Sequence, residues 1–146
     1  LGRDIGHLPG TMEEKLLPWL MPIQDNLEFL IGGDKNTLRL YIDNGKVEVE
    51  ALTYIRGRSI ANAFIIIDEA QNLTMHEVKT IITRAAEGTK IVLTGDIEQI
   101  DNAYVNEISN GLAHAVEKFK DSHITGHVTF KKGERSEIAT LASKVL

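Results

Sequence analysis

Two apolar runs along this chain end in acids. Phe64, Ile65, Ile66 and Ile67 stop abruptly at Asp68-Glu69-Ala70-Gln71-Asn72, and Ile91, Val92 and Leu93 stop at Thr94-Gly95-Asp96-Ile97-Glu98-Gln99. Short apolar runs bounded by polar residues are the pattern of strands buried on both faces. They predict strands over about 63–67 and 90–94. Between them, Thr74 with Glu77 three residues on is a capping box, and Leu73 and Val78 are spaced as its hydrophobic staple. A helix is therefore predicted over 75–87, ended by Gly88.

The flanks read less sharply. Residues 1–10 are glycine-rich and predict a loop. Thr11 and Glu14 form another capping box and start a helix, which Pro18 and Pro22 limit or kink because each lacks an amide donor. Leu16, Leu17, Trp19, Leu20 and Ile23 suit a packed segment, with Trp19 reading as core rather than as a base-stacking platform. A second helical piece is expected over 25–30. Residues 34–50 admit two readings. Leu38, Leu40 and Ile42 alternate as in a strand, with a hairpin turn at Asp43-Asn44-Gly45. Alternatively, Asp34 caps a helix that carries Leu38, Tyr41 and Ile42 on one face, with Gly45 just past its end. The helix is the preferred reading, followed by a strand over 46–51. Further on, a helix is expected over 110–120, a short strand over 127–130 and a last helix over 134–144. Strands alternating with helices imply an α/β domain with a mostly parallel sheet and helices on both faces, the 146 residues forming one partial domain.

Composition narrows the function classes. The chain has no cysteine, which excludes disulfides, thiolate metal sites and a cysteine nucleophile, and suits a reducing compartment. No apolar run is long enough to span a bilayer and no signal peptide is visible, so no membrane partner and a cytoplasmic location are expected. A net charge of −5 argues against a generally basic nucleic-acid surface, though not against a local basic patch.

Acids at the carboxyl end of a parallel strand lie where open α/β sheets bind ligands. In P-loop ATPases this is the Walker B position. There Asp68 would help hold Mg²⁺, and Glu69 would orient or activate the attacking water. The bland alternative is a strand end with two solvated acids. The complementary phosphate loop, Gly-x-x-x-x-Gly-Lys-[Ser/Thr], is not found. The only Gly-Lys pair is Gly45-Lys46, with Leu40 where the first glycine belongs and Val47 where the hydroxyl belongs. The chain begins at Leu1 without methionine. The expectation is that a first strand and phosphate loop lie upstream, and that this chain alone is inactive. In the second motif, Gly95 permits a tight exit from the strand. Asp96 can take a hydrogen bond or reach a metal's water shell, and Gln99 can sense a γ-phosphate or the attacking water.

DEAQN followed by LTGDIEQID looks like motifs II and III of superfamily 1 helicases. More closely, the chain resembles the PhoH family of predicted ATPases. The resemblance rests on GHLPGTMEEKLLPWLMPIQDNLEFL, YIRGRSIANAFIIIDEAQNLTMHEVKTIITRAAEGTKIVLTGDIEQID and GHVTFKKGERSEIATLASKVL, and covers nearly the whole chain. It implies a RecA-like P-loop fold that binds and hydrolyses ATP with Mg²⁺, and it supports the helix over 35–43. Some family members are fused to RNA-cleaving PIN domains and linked to RNA unwinding, so RNA is an implied partner. By the same resemblance Asp68 is the Mg²⁺-linked acid, Glu69 the water-activating acid, Gln71 a polar partner of the nucleotide site, and Asp96 and Gln99 the sensor.

Three other groups carry weaker signals. Arg135, just before the last helix, could stabilise charge on a transferring phosphoryl group, in cis or in trans. Acting in trans would require a homo-oligomer such as a hexamer-like ring. The alternative is a solvated basic turn. Arg56 and Arg58 flank Gly57 and could bind a phosphate, or pair with structural acids. Together with Lys131 and Lys132 they define the alternative function, a non-catalytic RNA- or protein-binding module. His123 and His127 are close in sequence, but no third metal ligand is evident.

Overall fold

A computed structural model describes residues 12–50, 52–55, 57–131 and 133–145. The glycine-rich opening, the cap at Thr11, Arg56 and Lys132 lie outside the described residues, as do the side chains of Leu16, Leu17 and Trp19. Helix α1 runs Met12–Leu30 as one element, so the two expected pieces are continuous through Pro18 and Pro22. Each proline costs one backbone hydrogen bond, but the strong helix formers around them keep the ladder on either side. Asp34 caps helix α2, Lys35–Asp43, accepting a hydrogen bond from the Asn36 amide at 3.0 Å. The preferred helix reading therefore holds over the hairpin. The strand expected over 46–51 does not form in its described residues. A short helix α3, Leu52–Ile55, follows.

The centre is a β–α–β unit. Strand β1, Phe64–Ile67, pairs in parallel with strand β2, Lys90–Leu93, placing Ile65 opposite Ile91 and Ile67 opposite Leu93. Between them come a 3₁₀ turn, Ala70–Asn72, and helix α4, Met75–Ile82. The capping box is present in full: the Glu77 amide donates to Thr74 Oγ1 (3.2 Å), and Glu77 Oε2 accepts from the Thr74 amide (2.8 Å). Helix α4 stops before the expected residue 87. There the chain leaves the helix to form a parallel bridge between Ile60 and Ala85, with the Ala86 amide donating to Ile60 O at 2.7 Å.

Helix α5, Gly111–Phe119, is capped by Asn110, whose Oδ1 accepts from the Ala113 amide at 2.8 Å. Its first residue must be glycine for steric reasons. A Cβ at Gly111 would lie 2.8 Å from Thr74 O and 3.0 Å from Leu73 O, and would also strike Val78 Cγ2. This close approach seats α5 against α4. Helix α6, Glu137–Val145, begins three residues later than expected, after Ser136, whose hydroxyl accepts from the Ala139 amide at 3.3 Å. The expected strand at 127–130 is absent. Val128 and Phe130 are exposed and, among the described residues, have no neighbouring strand to pair with.

The core gathers Ile67, Ala70, Leu73, Val78, Ile81 and Ala115, with Ile65, Ile91, Leu93 and Leu112 packed against it. It therefore lies on the face of the sheet that presents Ile65 and Ile67. The alternate residues Phe64 and Ile66 are 63% and 62% exposed. Among the described residues the sheet is covered on one face, not both. Its two strands are parallel, as expected. No described helix is long and apolar enough to cross a membrane.

Candidate functional site

The parallel register brings the ends of β1 and β2 side by side. The Thr94 amide donates to Ile67 O and the Ala70 amide to Thr94 O, both at 2.9 Å, so the two chains stay locked as they leave the sheet. Asp68 sits at this exit, exposed, its Oδ1 accepting from the Thr94 hydroxyl at 2.7 Å. Glu69 then adopts a left-handed conformation, φ 54° and ψ 36°. A residue with a Cβ pays a steric cost there, and such outliers gather at functional sites. The reversal turns the chain inward, so Ala70 and Gln71 are fully buried directly after two exposed acids.

Gln71 joins the two motifs. Its Nε2 donates to Glu69 Oε2 and to Gln99 O (3.1 Å), and its Oε1 accepts from the Asp96 amide (3.2 Å). Gly95 makes room for it: a Cβ there would collide with Gln71 Oε1 and lie 2.9 Å from Leu112 Cδ2. Asp96 in turn orders its own loop, accepting from the Glu98 amide (3.0 Å) and from Gln99 Nε2 (2.6 Å). The Glu98 amide and then the Gln99 carboxamide hold the Asp96 carboxyl below its ordinary pKa, burial opposes them, and the positive charge of Arg135 adds the smallest effect, a further lowering.

Asn72 anchors the far side of that loop. Its Oδ1 accepts from the amides of Asp101 (2.7 Å) and Asn102 (3.1 Å), and Asn102 Nδ2 returns a bond to Asn72 O (2.7 Å). The structure thus gathers Asp68, Glu69, Gln71, Asp96 and Gln99 around the two strand ends, whereas Arg135 is linked to them only by a small charge effect on Asp96. It also adds Thr94, Gly95 and Asn72, which the sequence reading did not assign as site residues. All three lie inside the DEAQN and LTGD stretches, so the signal was present as a polar residue or glycine directly beside each candidate. Arg58 is committed elsewhere. It donates to Glu50 Oε1 (2.6 Å) and Glu48 Oε2 (3.3 Å), which raises its pKa. Of the two readings left open for it, this geometry is the structural ion pair.

The family model for PhoH-like protein matches residues 1–145. The chain belongs to this family. It is 58% identical over its full length to "Protein PhoH2" of Bacillus subtilis, covering 34% of that protein. It is 40% identical over 99% of its length to "Protein PhoH2" of Mycolicibacterium smegmatis, covering 32% of it. Against "Protein PhoH" of Escherichia coli K12 it is 37% identical over 88% of its length, covering 36%. The chain spans about a third of the length of these curated relatives. In this PhoH-like chain the site residues fall in the middle of the matched region, and the family match includes the segment carrying Arg135.

Proposed function

We propose that this chain is a single partial domain of a RecA-like P-loop ATPase and supplies the carboxylate and sensor half of its Mg²⁺–ATP site. The observation that carries this reading is the juxtaposition at the ends of two parallel strands. An exposed Asp68-Glu69 pair lies beside an Asp96–Gln99 loop, and a fully buried glutamine ties them together. Family membership supports it, as does the left-handed Glu69.

Asp68 suits Mg²⁺. A carboxylate is a hard oxygen ligand, and only one of its oxygens is hydrogen-bonded by described residues. No group of three acids or histidines converges among the described residues. Mg²⁺ typically binds through one or two carboxylates, with phosphate and water as its other ligands, and this site fits that pattern. Bound there, the ion would neutralise charge on the phosphate oxygens. Glu69 would orient and deprotonate the attacking water, and Gln99 with Asp96 would respond to the γ-phosphate. Arg135 would add positive charge at the transferring group. It would act in cis, or in trans from a neighbouring subunit of a homo-oligomer.

A cytoplasmic setting, where ATP is available, goes with this role, and RNA is the partner class to test after ATP. The alternative, a non-catalytic RNA- or protein-binding module built on Arg56, Arg58, Lys131 and Lys132, is weakened by the commitment of Arg58 to Glu48 and Glu50.

The test uses the complete protein that carries this chain. Asp68→Asn and Glu69→Gln should each lower ATP turnover by about 100-fold or more. Wild-type turnover by both variants would overturn the assignment.

A further inference from the structure

The geometry points to Gln71 as a positioning residue that sets the aim of Glu69 according to the place of the Asp96–Gln99 loop, without touching nucleotide itself. This rests on the ATPase reading above and specifies how its two motifs communicate.

A carboxamide has two N–H donors and one acceptor oxygen. In Gln71 both sides are engaged within the protein: the NH₂ group bonds Glu69 Oε2 and Gln99 O, and the oxygen takes the Asp96 amide. The residue has no exposed surface. It therefore offers no free donor or free face to a ligand. What it does offer is a rigid link, since a buried polar group pulled from its partners is costly to leave unpaired.

Each end of the link is adjusted to it. Glu69 is left-handed at φ 54°, so its carboxylate direction is not the one an extended strand would give, and the Gln71 NH₂ group holds it. Gly95 leaves the space that the Gln71 oxygen occupies. The loop is stiff within itself, since Asp96 accepts from both the Glu98 amide and the Gln99 side chain. A shift of this loop moves Gln99 O and the Asp96 amide together. The carboxamide cannot follow both without turning its NH₂ group away from Glu69. The loop position is thereby transmitted to the acid through one side chain.

The experiment compares wild type, Gln71→Met, Glu69→Gln and the double variant in the complete protein. Methionine keeps the buried volume and removes all three hydrogen bonds. Gln71→Met should lower kcat by about 10–100-fold, as misplacement of a catalytic group does. The affinity for a non-hydrolysable ATP analogue should stay within about threefold, because only the transition state loses an interaction. The double variant should be no slower than Glu69→Gln alone. Should circular dichroism show Gln71→Met unfolded, Gln71→Glu is the second variant. It keeps the shape and the acceptor facing Asp96 but, with at most one O–H donor when protonated, cannot bond Glu69 and Gln99 O together, and the same loss of kcat is expected.

Normal turnover by a folded Gln71 variant, with Glu69→Gln inactive, overturns the coupling and leaves the ATPase reading intact. Loss of analogue affinity as large as the loss of turnover also overturns it, since it indicates direct contact or general disorder. If Glu69→Gln itself turns over normally, the site reading falls and the coupling with it.

Discussion

At the scale of the residue, Gly95 and Gln71 define each other's space. Gly95→Ala puts a methyl into the Gln71 oxygen and close to Leu112, so it should destabilise the chain by about 1–3 kcal/mol in thermal or denaturant unfolding. Asp96 makes a pH-dependent contribution. Its folded pKa is lowered, so the folded state holds fewer protons on it than the unfolded state as pH falls below the ordinary carboxylate range. Stability from this group is full above the unfolded pKa and is lost as pH falls through the lower folded one. Asp96→Asn should therefore melt below wild type above the ordinary carboxylate range, and the two should converge as pH falls through the lowered folded pKa. Melting curves across that range check the sign. At this scale the acids and Gln99 were legible because strand ends announce themselves by an abrupt change in polarity. The full burial of Gln71 was not legible. It depends on Glu69 turning left-handed, which no sequence pattern at Asp68-Glu69 specifies.

At the scale of the element, local chemistry was a good guide to helix starts and a poor guide to isolated strands. Thr74 and Glu77 cap α4 as their spacing requires, and Thr74→Ala should cost about 1 kcal/mol in denaturant unfolding. Asp34 likewise caps α2, and it decides between helix and hairpin through a bond to its own neighbour. A cap needs only residues within one turn, so sequence carries it. Residues 46–50 and 127–130 show the converse. Apolar alternation marks a face, but a strand exists only where another strand accepts its hydrogen bonds. The early end of α4 has the same origin, because the Ile60–Ala85 bridge competes for the backbone that would have continued the helix.

At the scale of the whole molecule, the face of the sheet left uncovered among the described residues is the main departure from expectation. Phe64 and Ile66 project from it, both exposed. A parallel sheet is ordinarily covered on both faces, and exposed contiguous apolar surface favours association. The 146-residue chain by itself should therefore self-associate with rising concentration. Phe64→Lys combined with Ile66→Thr should reduce that association in light scattering. An unchanged, concentration-independent monomer for the wild-type chain would show that this face is otherwise protected.

The sequence alone determined the α/β alternation, the parallel pairing implied by strand–helix–strand order, the helix caps and the acids at the strand ends. These follow from local spacing and from polarity changes within a few residues. Only the tertiary structure decided that Gln71 faces inward to link the two motifs, and that Arg58 is spent on Glu48 and Glu50. Those outcomes depend on which surfaces meet after the chain has folded, and charge or hydrogen-bonding capacity in a sequence does not name its partner.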